Sequence, residues 1–255
     1  MIRLINLTKS YRGFLAVDNL NLKVGKGTVF GFLGPNGAGK TTTIRMMAGV
    51  LKPTSGRIVI NGMDLEKEAS EVKRSIGFIP DRPFLYEKLT AREFLGLVAG
   101  LYHLDHSRQL ERSISRLLEL FELDGWGDEL IEGFSHGMKQ RLVMCAALLH
   151  EPSVLIVDEP MVGLDPKGAR LVKDIFRGEA EKGKTVFLST HSLEVAQEIC
   201  DEIAIIQAGR IIVSGTPDEL KARAGVDGSL ESVFLKLTEK GEVSRNGGSV
   251  PASDP

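Results

Sequence analysis

An α/β fold with a mostly parallel sheet is predicted by three observations. Continuous apolar runs recur in the second half, Val154-Leu155-Ile156-Val157, Thr185-Val186-Phe187-Leu188-Ser189 and Ile203-Ala204-Ile205-Ile206. They alternate with helical stretches at 166–182 and 193–200, the pattern of strands buried on both faces. A glycine-rich loop at 34–42 stands between another apolar run, Val29-Phe30-Gly31-Phe32-Leu33, and a proline-free helical stretch opening Thr43-Ile44-Arg45-Met46. From 90 to 150 no strand pattern occurs, and apolar residues recur at helical spacing, as in Phe94, Leu97, Val98 and Leu101.

Taken in order, residues 2–24 run in short alternating pieces with turn residues such as Lys9-Ser10 and Asp18-Asn19, which reads as antiparallel strands. Tyr11 stands beside the Arg12-Gly13 turn. After the helix that follows Lys40, Pro53-Thr54-Ser55-Gly56 breaks the chain, and Arg57-Ile58-Val59-Ile60 reads as a strand closed by the hairpin signal Asn61-Gly62. A charged helical stretch at 65–74 precedes the short strand Ser75-Ile76-Gly77-Phe78-Ile79, which Pro80 ends. The helical block is therefore inserted into an α/β chain, and a Ser/Gly/Pro-rich end follows residue 240. The expected organisation is one domain over 1–239, with a helical subdomain at about 82–150, and a disordered tail at 240–255.

The loop carries the chemistry. Gly34, Gly39, Lys40 and Thr41 meet the pattern G-x-x-x-x-G-K-[ST], and strand, loop and helix are the context that pattern needs. Glycines let successive N–H groups turn inward around phosphate oxygens, and the following helix adds the positive end of its dipole. Lys40 can reach the β- and γ-phosphates and the Thr41 hydroxyl can ligate Mg²⁺. This is a P-loop NTPase core, and nucleoside triphosphate is the implied ligand.

Asp158 and Glu159 end the strand run at 154–157, and ligands bind at the carboxyl ends of parallel strands. Asp158 is expected to hold Mg²⁺, and Glu159 to orient or polarise an attacking water. His191 follows the strand at 185–189 and lands on the same rim. A second anion site is expected where Ser135 caps a helix and Gly137 brings backbone N–H groups close, within Phe134-Ser135-His136-Gly137-Met138-Lys139-Gln140-Arg141. Two such sites suit a dimer whose subunits complete one another.

These motifs, in this order over nearly the whole chain, resemble the nucleotide-binding subunits of ATP-binding cassette (ABC) transporters. The resemblance implies the ABC ATPase fold and assigns roles. Tyr11 matches the aromatic that stacks on adenine. Gly34, Pro35, Asn36, Gly37, Ala38, Gly39, Lys40, Thr41 and Thr42 match Walker A, and Asp158 and Glu159 match the Walker B aspartate and catalytic glutamate. Ser135 to Met138 match the signature, Gly163-Leu164-Asp165 the D-loop, and His191 the switch histidine at the γ-phosphate. ATP and Mg²⁺ are the implied ligands, held in a head-to-tail dimer between one Walker A and the other subunit's Ser135 and Gly137, with Asp165 nearby.

Two departures are visible. His136 stands where a second signature glycine is usual and Met138 where glutamine is usual; FSHGMKQR looks most like subunits serving ABC-2 type exporters. Asp81 stands at the Q-loop, where the family usually has glutamine and that branch often glutamate; its carboxylate can still meet Mg²⁺ through water. The stretch at 82–89, with Phe84 and Tyr86 among charges, is where the resemblance places a groove for a cytoplasmic helix of the membrane partner.

Composition agrees with a soluble protein: net charge is −2, which argues against nucleic acid as partner. Cys145 and Cys200 match no metal spacing and read as buried core residues. The start lacks an apolar signal region, and the longest apolar stretches, at 94–101 and 142–149, fall short of the roughly 18 residues that span a bilayer. The expectation is a cytoplasmic ATPase subunit, peripheral on the membrane through a separate permease, and paired with a second ATPase subunit. Two copies of this chain would suffice, since each motif for two working sites is present. A non-transport ABC ATPase acting on a soluble assembly or nucleic acid is the alternative; a P-loop kinase would leave Ser135 to Met138 and His191 unexplained.

Overall fold

The computed structural model describes residues 1–82, 84–105, 107–224 and 234. The tail expected at 240–255 lies outside them.

Two sheets organise the chain. The first is antiparallel, in the order β2-β1-β4-β5, from β1 (Ile2–Tyr11), β2 (Phe14–Val24), β4 (Ser55–Ile60) and β5 (Met63–Asp64). The second has the order β10-β9-β3-β8-β7-β6. Its members are β3 (Val29–Leu33), β6 (Ile76–Ile79), β7 (Val154–Asp158), β8 (Thr185–Thr190), β9 (Glu202–Gln207) and β10 (Arg210–Gly215). All of its pairings are parallel except that between β9 and β10.

Alternation along each central strand sorts side chains into two cores. Val29, Leu33, Leu155, Val157, Val186, Leu188, Ile203 and Ile205 face one, and Phe30, Phe32, Val154, Ile156, Phe187, Ala204 and Ile206 face the other. The first core is closed by the helices α3 (Ala91–Leu101), α4 (Arg108–Leu120), α5 (His136–Leu148), α6 (Pro166–Glu181) and α7 (Leu193–Ile199). The second is closed by α1 (Lys40–Met47), α2 (Ala69–Arg74) and the antiparallel sheet. A helix α8 (Pro217–Ala224) follows β10. Both cysteines are buried, and desolvation raises both thiols, Cys200 to about 12. Neither is a nucleophile at neutral pH.

Helix starts follow local chemistry. Thr90 and Glu93 form a capping box on α3, Ser107 caps α4, Ser135 caps α5, Asp165 caps α6 with Pro166 in its first turn, and Ser192 caps α7.

Several boundaries differ from the sequence expectation. Lys9-Ser10 and Asp18-Asn19 are not turns: they lie within β1 and β2, which reverse only at Arg12-Gly13. The register shifts between Leu7 and Lys9 and again between Lys9 and Ser10, and Asn19 takes a left-handed φ of 49°. Turn-forming residues here absorb β-bulges instead of reversing the chain. The helix expected at 65–74 begins only at Ala69, because Leu65 is buried in the second core and the preceding residues turn on the Asp64 carbonyl. Strand β10 was not anticipated.

Candidate functional site

The carboxyl ends of β3, β7 and β8 meet at one edge, and the loop at 34–42 lies there. Gly39 caps α1 with φ 106°, and a Cβ on it would fall 2.5 Å from the Ala16 carbonyl of β2. Glycine is therefore demanded by backbone packing against the hairpin, besides its role toward a ligand. The loop is braced by Ala38 N–H donating to the Pro35 carbonyl and by Gly209 N–H donating to the Ala38 carbonyl. Gly209 sits in the β9–β10 turn, which is how the unanticipated strand supports the site.

Lys40 is 6 % exposed, and its ammonium donates to the Gly34 carbonyl at 2.7 Å and the Pro35 carbonyl at 3.4 Å. It also lies 3.4 Å from Oε1 of Glu159. Oε2 of the same carboxylate is 3.0 Å from Nδ1 of His191. The three residues expected on one rim are thus linked through Glu159. That linkage needs an unusual backbone: Glu159 has φ 49°, and its N–H donates to the carbonyl and hydroxyl of Ser189 on β8. Left-handed geometry costs a non-glycine residue about 1–3 kcal/mol, tolerated where surrounding structure dictates it.

Asp158 is the last residue of β7. It is 2 % exposed and accepts a hydrogen bond from the Ser189 hydroxyl, with the Thr41 hydroxyl also acting on it. Burial raises its carboxyl above the ordinary range, against those two hydroxyls, and the charges of Asp81 and Glu159 push in the same direction as burial. A buried carboxylate facing two others is a place that favours a cation. Among the described residues no group of three or more His, Cys, Asp or Glu converges into a protein-only metal cage. The all-oxygen set of Thr41, Asp81 and Asp158 fits Mg²⁺, which is typically bound by one or two carboxylates plus phosphate oxygens.

A cleft of about 390 Å³ opens over the loop, lined by Pro35, Asn36, Gly37, Gly39, Lys40, Thr41 and Thr42, with Tyr11, Asp81 and Glu159 around it. Gly34 and Ala38 are buried beneath. Phe14 and Ala16 line the cleft too, although neither belongs to a motif. The signal available for Phe14 was its place across a tight turn from Tyr11.

Ser135, Gly137 and Asp165 are not among the residues lining this cleft. They gather at a second place. The Ser135 hydroxyl accepts from the Met138 N–H, Asp165 accepts from the Gly168 N–H, and Gly137 abuts the Gly163 carbonyl, 3.4 Å from where a Cβ would stand. The His136 ring rests on Gly163, at 2.4 Å from the Cβ position.

Residues 17–162 match the sequence profile of the family described as ABC transporter. The chain belongs to the ABC transporter family. It is 44 % identical over 235 residues to the daunorubicin resistance ATP-binding protein DrrA3 of Streptomyces coeruleorubidus, covering 92 % of this chain and 73 % of that one. It is 37 % identical over 264 residues to the Nod factor export ATP-binding protein I of Sinorhizobium fredii, covering 100 % of this chain and 77 % of that one. Among solved structures, a dimeric ATP-binding cassette in a post-hydrolysis state bound to ADP and Pi superposes with a TM-score of 0.78 at 27 % identity, over 85 % of this chain and 98 % of that one. This ATPase subunit has the ABC ATPase fold, and among its described residues no helix is long and apolar enough to cross a membrane.

Proposed function

We propose that this chain powers a separate membrane-spanning permease of an exporter, as one half of a head-to-tail dimer that closes on ATP and reopens after hydrolysis. The carrying observation is the separation, within one subunit, of the phosphate-loop cleft from the cluster at Ser135, Gly137 and Asp165. A second copy facing the first brings each cluster to the other's cleft. Relatives named for drug resistance and for export support the exporter branch, and a dimeric relative supports the pairing. Residues 1–239 would act as a single ATPase domain with the helical segment at about 82–150 inserted.

Within the cleft, Tyr11 stacks on the adenine and the loop N–H groups from Gly34 to Thr42 take the phosphates. Lys40 exchanges the Gly34 and Pro35 carbonyls, and Glu159, for phosphate oxygens. That frees Oε1 of Glu159 to orient the attacking water and accept its proton, while His191 holds Oε2 in place. Thr41, Asp158 and Asp81 would hold Mg²⁺, which when bound neutralises charge on the phosphate oxygens. Ser135 and Gly137 offer the partner's bound nucleotide a hydroxyl and a helix N-terminus.

The permease would dock on the stretch at 82–89, and the exposed rings there support that reading. Leu85 is buried in the helical block, whereas Phe84 is 84 % exposed and Tyr86 56 % exposed, their rings edge to face at 6.1 Å. Glu87 and Lys88 are tied to Lys139 and Glu132 beside them, linking this surface to α5. The test is an affinity pull-down of tagged Glu159→Gln protein from detergent-solubilised membranes with ATP and Mg²⁺. A polytopic membrane protein is the expected companion; ribosomes, nucleic acid or only soluble proteins would contradict the transporter role.

A further inference from the structure

The tip of the β1–β2 hairpin carries an aromatic that no motif accounts for. Phe14 pairs directly across from Tyr11, and the intervening Arg12 and Gly13 both have left-handed φ, 47° and 89°, as in a type I′ turn. Directly opposed residues share a sheet face. Ala16, two residues further along β2, shares it as well, and its carbonyl is the group packed against Gly39. This face therefore looks onto the phosphate loop, and Tyr11, Phe14 and Ala16 all line the cleft. Phe14 is 67 % exposed there and Tyr11 45 %.

Tyr11 has one ring face already covered. The Lys9 ammonium stands over it at 5.2 Å from the centroid, anchored on the Lys52 carbonyl at 2.7 Å. A planar ligand is left the opposite face, and a phenyl ring standing in water at the cleft mouth regains apolar burial only when a ligand covers it.

We propose that Phe14 is a base-binding residue, giving the cleft, with Tyr11 on the same hairpin face, an apolar platform that favours the larger purine over a pyrimidine. The proposal rests on the nucleotide reading of the cleft. Stacking on one ring tolerates any base, because every base has a π-face. A second ring on the same face of the cleft rewards the greater area of a bicyclic base.

The test is calorimetric titration of wild type, Phe14→Ala, Phe14→Trp and Lys40→Ala with ADP, UDP and inorganic tripolyphosphate. Phe14→Ala should raise the Kd for ADP about tenfold and that for UDP about threefold, and leave tripolyphosphate binding unchanged. Phe14→Trp should keep ADP affinity. Wild-type ADP affinity in Phe14→Ala, with affinity lost in Lys40→Ala, would overturn the platform and leave the cleft reading standing. Affinity kept in both would overturn both. Equal weakening of ADP and tripolyphosphate would mean a distorted hairpin, and would also overturn the platform.

Discussion

Replacing Gly39 by alanine tests how the hairpin and the phosphate loop are joined. At φ 106° an L side chain is strained by about 1–2 kcal/mol, from which a loss of unfolded-chain freedom takes back about 0.4–1 kcal/mol. The new Cβ would also lie 2.5 Å from the Ala16 carbonyl, roughly an ångström short of ordinary contact. That obstacle is backbone near the start of β2, so the strand or the loop must move, at about 1–3 kcal/mol. Gly37→Ala is the control, because its φ of 78° is also left-handed but nothing lies within 4 Å of its Cβ position. Thermal unfolding without nucleotide should place Gly37→Ala about 0–6 °C below wild type and Gly39→Ala about 2–12 °C below Gly37→Ala, at 2–4 °C per kcal/mol for a domain of this size. Equal shifts for the two variants would refute the claim that Ala16 and not the dihedral alone demands glycine at 39.

Two more outcomes follow from contacts elsewhere. Burial alone would raise the Glu179 carboxyl, but bonds from Lys182 and Lys184 outweigh it and hold the group below the ordinary carboxylate range. Its contribution is therefore present above the unfolded pKa and lost as pH falls through the lower folded value. Glu179→Gln should cost about 2 kcal/mol at pH 7 and almost nothing at the acid end, measured as denaturant midpoints against pH; a pH-independent cost would contradict the ion-pair account. Gly163→Ala should lower both stability and ATPase rate, since its φ is 81° and its Cβ position meets the His136 ring. His136→Gly added to it should restore part of the loss, and strict additivity of the two changes would show that the contact carries no coupling.

The central sheet was legible because its strands are buried on both faces and so read as unbroken apolar runs. The rim was legible for a related reason: parallel strands deliver their carboxyl ends to one edge, so Lys40, Asp158, Glu159 and His191 had to be neighbours. What joins them was not. The Lys40–Glu159–His191 link depends on a left-handed Glu159, and no residue type announces that conformation in a glutamate. Polar residues misled at Lys9-Ser10 and Asp18-Asn19, because a bulge and a turn ask for the same chemistry. Phe14 matches no motif, and its pairing with Tyr11 brings it to the cleft. Ser135, Gly137 and Asp165 were found by pattern, and their separation from the cleft within one chain is what points to a second subunit.

The most direct test of the whole account is steady-state ATP hydrolysis and ATP binding by purified Glu159→Gln protein beside wild type. The substitution keeps the shape of the side chain and removes the charge that Lys40 and His191 hold. Hydrolysis should fall about 100-fold or more with ATP binding retained, as loss of a general base requires. Hydrolysis at the wild-type rate would contradict the role given to Glu159 and the site built around it.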